Sequence, residues 1–160
     1  MIKNVEGDIL FTKADAIVHG VAPNDDFKQG LALSLRERWP AMYKDFRHYC
    51  KTKHPKEGEL WTWQGAEGAA IVNLLTQEGA YDPGTKPGKA TIENVNHALK
   101  NLRSEIEERG FKSIALTKIS TGVGGLDWED VEPLIVKHLQ DLKVEVFVYT
   151  TFHAGEKAEE

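Results

Sequence analysis

The sequence predicts an α/β domain built on a mixed sheet. Three observations carry that expectation. Short apolar runs alternate with amphipathic stretches from end to end, two of those runs are almost uninterrupted, and 160 residues is the length of one domain with its own core. A hydrophobic share of 41% and a charged share of 28% place the chain among globular proteins and argue against a disordered or fibrous one.

The first strand is expected from Ile2 to Val5, with the Gly7-Asp8 pair as punctuation after it. Ala16 to Val21, AIVHGV, reads as a strand buried on both faces. Leu31, Leu35 and Trp39 then recur at helical spacing from Gly30, and Pro40 opens a second helix through Met42, Phe46 and Tyr49. Glu59 to Trp63 alternates like a half-exposed strand, and Ala69 to Leu75 is the second buried run.

The segment from Gln77 to Ala90, QEGAYDPGTKPGKA, is 14 residues long, longer than an ordinary connection, and reads as a functional loop or lid. Thr91 caps a helix that runs through Val95, Leu99, Leu102 and Ile106 to Gly110. A short strand follows at Ser113 to Leu116, then a glycine-rich turn, a helix from about Trp128 to Leu139, and a last strand from Val144 to Tyr149. Residues 154–160 are acidic and poor in apolar side chains, so a frayed, flexible tail is expected after a single domain over residues 1–153.

Lys plus Arg number 20 and Asp plus Glu number 25, a net charge of −5 that disfavours bulk attraction to a phosphate backbone but leaves room for a local basic patch. Cys50 is the only cysteine, so no intramolecular disulfide forms and a reducing cytoplasm is the expected setting. No stretch approaches the ~18 to 20 apolar residues of a membrane span, and the N-terminus lacks a secretory pattern. No HExxH, paired CxxC or other ligand spacing points to a metal, and no cofactor is expected. The absence of a GxSxG element argues against a covalent serine nucleophile, and the chain is expected to act as a monomer.

A strand feeding a glycine-rich turn and then a helix suits an anion, because backbone N–H groups can approach it where side chains do not obstruct. Ser120, Thr121, Gly122, Val123 and Gly124 supply such a turn. It lacks the Lys-Ser or Lys-Thr end of a nucleotide-triphosphate loop and is no dinucleotide fingerprint. His19, inside a buried strand, reads either as a hydrogen-bonded core histidine or as a base held neutral by desolvation. Asn24, Asp25 and Asp26 lie where open α/β sheets bind ligands, though both aspartates also suit a turn. Asp8 reads as a cap or as an acceptor for an adenine amino group.

Taken together, VEGDIL, AIVHGVAPND, FKQGLALSLRERWP, AIVNLLTQ and ISTGVGGLDW occur in an order that resembles the macrodomain family of ADP-ribose-binding modules, over roughly Ile2 to Tyr149. The resemblance implies a three-layer α/β/α sandwich and ADP-ribose or a derivative as ligand, with ADP-ribosylated macromolecules as further partners. By position, it implies that Asp8 holds the adenine amino group with the backbone of Ile9 beside it. It also implies that Gly30 opens a helix facing the distal ribose and that Thr121 to Gly124 hold the diphosphate. Phe152, placed just past the last strand, is the implied adenine-stacking residue, with Tyr149 competing for the role.

Within the family the chain looks similar to the branch containing ADP-ribose 1″-phosphate phosphatase and the terminal and DNA ADP-ribosyl glycohydrolases. His19 matches the strand histidine implicated in the phosphatase. Where the glycohydrolases place a lysine directly after the threonine, this chain has Thr76-Gln77, and Gln77 cannot take that lysine's role. Lys86 and Lys89 are nearby but off the matching position, and Gly124 stands where one glycohydrolase has an acid, with Asp127 expected as the next helix's N-cap.

The leading expectation is therefore hydrolysis of ADP-ribose 1″-phosphate, with His19, at a pKa near neutrality, orienting or activating water or protonating the leaving group. The second is a glycohydrolase acting on modified protein or nucleic acid, and the third a reader that binds ADP-ribose without chemistry. The side of the strand that the His19 ring faces discriminates the enzyme from the reader.

Overall fold

The computed structural model describes all residues, Met1–Glu160. Its strands are β1 (Ile2–Gly7), β2 (Ala16–Val21), β3 (Leu60–Trp63), β4 (Ala70–Leu75), β5 (Ser113–Thr117) and β6 (Glu145–Phe152). The helices are α1 (Gly30–Arg38), α2 (Pro40–Lys53), α3 (Ile92–Arg109) and α4 (Trp128–Leu139). A single 3-10 turn, Ile9–Phe11, was not anticipated from sequence; Asp8 caps it by accepting from the Leu10 N–H at 3.1 Å.

The strands form one six-stranded sheet in the order β1-β6-β5-β2-β4-β3, parallel except for the antiparallel edge strand β3. Two-residue periodicity divides the interior. Ala16 and Val18 of β2 and Val72 and Leu74 of β4 pack with Leu99, Leu102 and Ile135 under α3 and α4. Ile17, Val21, Ile71 and Leu75 pack on the other face with Leu35, Met42 and Phe46 of α1 and α2. The expected α/β/α layering is thus present, and every residue of β4 is buried, as its uninterrupted apolar run requires. No helix is long and apolar enough to cross a membrane.

Helix boundaries follow local chemistry. Thr91 accepts from the Asn94 N–H and Gly110 closes α3 at φ 69, in the left-handed region glycine favours. Pro40 occupies the first turn of α2, where its missing N–H costs nothing. Asp127 does stand at the N-cap of α4, but its side chain forms no cap hydrogen bond there.

Two expectations need correction. Phe152 is the last residue of β6 rather than a residue beyond it, because the parallel pairing with β1 continues to Gly7. Residues 154–160, expected to fray, turn back over the end of β1: Asp8 N–H donates to Glu156 O at 2.7 Å and Lys13 N–H to the Glu160 carboxylate at 3.0 Å.

Candidate functional site

Because five of the six strands run in the same direction, the loops that follow them gather at one edge of the sheet, the usual location of a ligand in an open α/β fold. Two cavities open there. A polar one of about 600 Å³ lies between the segment after β2, the loop after β4 and the glycine-rich loop after β5; a smaller one of about 450 Å³ lies between Asp8, Ile9, Leu10, Tyr149 and Phe152. Both are bounded by Gly30, Leu31 and Thr117, so the two form one elongated cleft.

The glycine-rich loop is folded by its own backbone. Leu126 N–H donates to Ser120 O and Gly125 N–H to Gly122 O, both at 3.0 Å, while Ser120 takes φ 62. A Cβ at Gly124 would lie 2.6 Å from Ser120 O, so only glycine closes this turn. The N–H groups of Gly122, Val123 and Gly124 donate to no acceptor in the protein, and all three residues line the polar cavity. Three successive unpaired N–H groups on one concave turn are what an anion requires. Ser120 lines the same cavity, and its hydroxyl bonds Thr76 Oγ1 at 2.6 Å. Thr76 is fully buried and ties the end of β4 to this loop, whereas Thr121 turns its hydroxyl back onto Lys118 O.

His19 is only 3% exposed. Its Nε2 bonds Asn73 Oδ1 at 2.6 Å across the β2–β4 register, and its ring meets Phe27 edge-on. Asn73 Nδ2 donates to Trp61 O, which fixes Oδ1 as the acceptor and puts the histidine proton on Nε2. Nδ1 is left as a bare acceptor, without a hydrogen bond to the protein, in a residue that forms part of the polar cavity's wall. Burial, opposed by the Asn73 bond, lowers the pKa to about 4. The expected titration near neutrality is therefore corrected: the ring is neutral at physiological pH because its charged form would be desolvated. Its orientation is intermediate between the two anticipated extremes, packed into the α1–α2 layer yet bordering the cleft.

Asn24 is not at the cleft wall. At φ 57 it swings its amide to Ala80 O at 3.1 Å, where it fastens the loop after β4. Asp25 is the turn former: its carboxylate accepts from Ala22 and Phe27 N–H at 2.9 and 2.8 Å, while burial pushes its pKa up. Gln77 pins the long loop through Gly88 O at 2.8 Å, and this brings Lys86 to the polar cavity but not Lys89. Lys28, Lys118 and Thr117 also line the cleft and were missed; a loop lysine carries no local mark that separates it from a solvated charge. Asp8, Ile9 and Phe152 do meet in the apolar compartment, with Phe152 69% exposed and Tyr149 largely buried. No group of three His, Cys, Asp or Glu side chains is placed to hold a metal ion.

The Macro domain family profile matches residues 18–135. Among curated relatives, a DNA ADP-ribosyl glycohydrolase of Thermus aquaticus is 29% identical over 93% of this chain and 41% of its own length. An ADP-ribose 1″-phosphate phosphatase of Meyerozyma guilliermondii is 21% identical over 84% of this chain and 91% of its own. The solved macrodomain of Mycobacterium tuberculosis DarG superposes with a TM-score of 0.84 at 27% identity, covering 93% of this chain and 97% of that one. The chain spans about two-fifths of the length of the bacterial glycohydrolases it matches, 40% to 42%. The matched region runs from within the histidine strand, through the glycine-rich loop with its unpaired N–H groups, to α4, and the chain belongs to the Macro domain family.

Proposed function

We propose that the protein binds ADP-ribose and hydrolyses a derivative of it, ADP-ribose 1″-phosphate. The observation that carries this reading is the two-part cleft: an apolar compartment with one buried carboxylate joins a polar compartment with three unpaired N–H groups. Adenine fits the first, stacked on Phe152 with its amino group on Asp8. The diphosphate fits the loop at Gly122 to Gly124, and the distal ribose fits the space bordered by His19 and Lys86. Binding energy from the adenine and diphosphate then positions the reacting end.

A terminal phosphate adds negative charge at the distal end. Lys28, Lys86 and Lys118 line that compartment together with Asp25 and Asp26; Asp25 has its carboxylate committed to backbone N–H groups, and Asp26 accepts from Lys28 N–H at 3.3 Å. In the proposed step a water oxygen bonds to phosphorus as the bond from phosphorus to the ribose oxygen breaks. The leaving oxygen takes up a proton, and ADP-ribose and inorganic phosphate are released. His19 Nδ1 accepts a hydrogen bond from the water and orients it, and the lysines offset the developing charge.

Phosphate release from ADP-ribose 1″-phosphate tests this reading. Turnover is expected. Lys86→Ala is expected to lower kcat/KM about tenfold or more through lost charge stabilisation. No phosphate release, or Lys86→Ala at wild-type efficiency, contradicts the assigned roles. The names of the bacterial relatives favour a second reading, removal of ADP-ribose from nucleic acid. Release of label from an ADP-ribosylated oligonucleotide, without phosphate release from ADP-ribose 1″-phosphate, would select it.

A further inference from the structure

The C-terminal segment is built into the wall behind Asp8. Asp8 carries two backbone contacts from it: its own N–H donates to Glu156 O at 2.7 Å, and Gly155 N–H donates to its Oδ2 at 3.0 Å. With Leu10 N–H on Oδ1 at 3.1 Å, each carboxylate oxygen holds one backbone donor and the plane of the group is fixed. The approach is close enough that a Cβ at Gly7 would lie 2.9 Å from both Ala158 N and Glu156 O. Further along, Ala158 packs on the same apolar cluster that contains Ile9 and Tyr149.

The far end is latched by one side chain. The Glu160 carboxylate accepts from Lys13 N–H at 3.0 Å, from Tyr149 OH at 2.6 Å and from the Thr12 hydroxyl. Burial and that carboxylate both push the Tyr149 phenol up, so it remains a donor to Glu160. Tyr149, Asp8 and Phe152 all line the apolar compartment, so the strap touches two of its walls directly and Phe152 by chain continuity.

We propose that residues 153–160 form a strap that orients Asp8 and thereby sets the preference of the apolar compartment for a base bearing an amino group, with Glu160 as the positioning residue that latches it. This rests on the ADP-ribose reading. A carboxylate whose oxygens are already fixed by N–H donors presents its remaining lone pairs in set directions, toward a ring amino group. A ring carbonyl at the same position faces a carboxylate and is repelled. Freed of the strap, Asp8 loses its contacts with Glu156 and Gly155 and keeps only Leu10 N–H on its carboxylate, and its orienting effect falls with them.

Calorimetric titration of the full chain with ADP-ribose and with its inosine counterpart, in which a ring carbonyl replaces the amino group, tests the strap. Wild type is expected to prefer ADP-ribose by about tenfold or more, the scale of one well-placed charge-assisted hydrogen bond. Glu160→Ala is expected to weaken ADP-ribose binding about tenfold and to bring the two affinities together. Glu160→Gln, whose amide oxygen still accepts from Tyr149, should retain most of both. Glu160→Ala with wild-type affinity and preference, or a wild type indifferent to the base, overturns the strap's role and leaves the ligand assignment standing. A wild type that binds neither compound overturns the ligand assignment and the strap's role with it.

Discussion

Gly122→Val is expected to abolish ADP-ribose binding, with at least a hundredfold loss of affinity, roughly 3 kcal/mol, while the melting temperature moves by no more than about 2 °C. The contrast follows from the geometry of one turn. A Cβ at Gly122 meets no protein atom within 4 Å, and the residue is exposed without a positive φ. The fold therefore accepts a side chain there. Gly122 lines the same cavity as the unpaired N–H groups that the proposed function assigns to the diphosphate, so a branched side chain there is expected to displace the ligand without touching the core. Gly124→Ala is the internal control, because its Cβ would press within 2.6 Å of Ser120 O and deform the turn itself. Calorimetry paired with thermal melts checks both. Gly122→Val binding as wild type would show that the loop does not carry the anion.

The second large effect concerns stability and acid. His19 has a pKa of about 4 in the folded protein against the ordinary 6.5 of a free imidazole, so the unfolded chain takes up a proton first as pH falls. Its contribution is fully present above about pH 6.5, is lost as pH falls toward 4, and is constant below that. That difference corresponds to roughly 3 kcal/mol of lost stability across that window. Asp25 acts with the opposite sign, since a raised carboxyl pKa favours the folded state as pH drops into the carboxylate range. Comparing wild type with His19→Leu removes the Asp25 contribution from the difference. Urea denaturation at pH 7.5, 5.5 and 4.5 should show the wild type losing stability more steeply than His19→Leu; parallel losses would place the His19 ring in contact with solvent.

What sequence alone made legible depended on whether the signal was local. β2 and β4 were readable because a strand covered on both faces admits no polar interruption except a satisfied one, and AIVHGV and AIVNLL each carry a single polar side chain. Those two interruptions prove to be each other's partners, His19 with Asn73, yet their meeting depends on parallel register between strands some 54 residues apart. The direction of the His19 pKa shift was legible from its place in a buried strand, since burial is its main cause; the opposing bond to Asn73 was not. The turn at Gly122 to Gly124 was legible because the strand, the glycines and the following helix are contiguous in the chain.

Other features gave no local sign. Asn24 looked like a ligand contact from its polarity and place at the sheet edge, but a left-handed backbone turned its amide toward Ala80. The tail looked solvated because Gly, Glu and Lys dominate it; what fixes it is backbone pairing with Asp8 and a single glutamate reaching Thr12 and Lys13, 148 and 147 positions away. No periodicity announces contacts of that kind. Lys28 and Lys118 are in the same position: a lysine's role in a cleft is set by what lies opposite it, and only the assembled fold supplies that.

The most direct test of the ADP-ribose assignment is a calorimetric titration of the wild-type chain with ADP-ribose at neutral pH, with AMP and ribose 5-phosphate titrated separately. A cleft whose two compartments act together is expected to bind ADP-ribose one to one, and at least about tenfold more tightly than either fragment. No heat of binding with ADP-ribose, or an affinity no better than that for AMP, would contradict it.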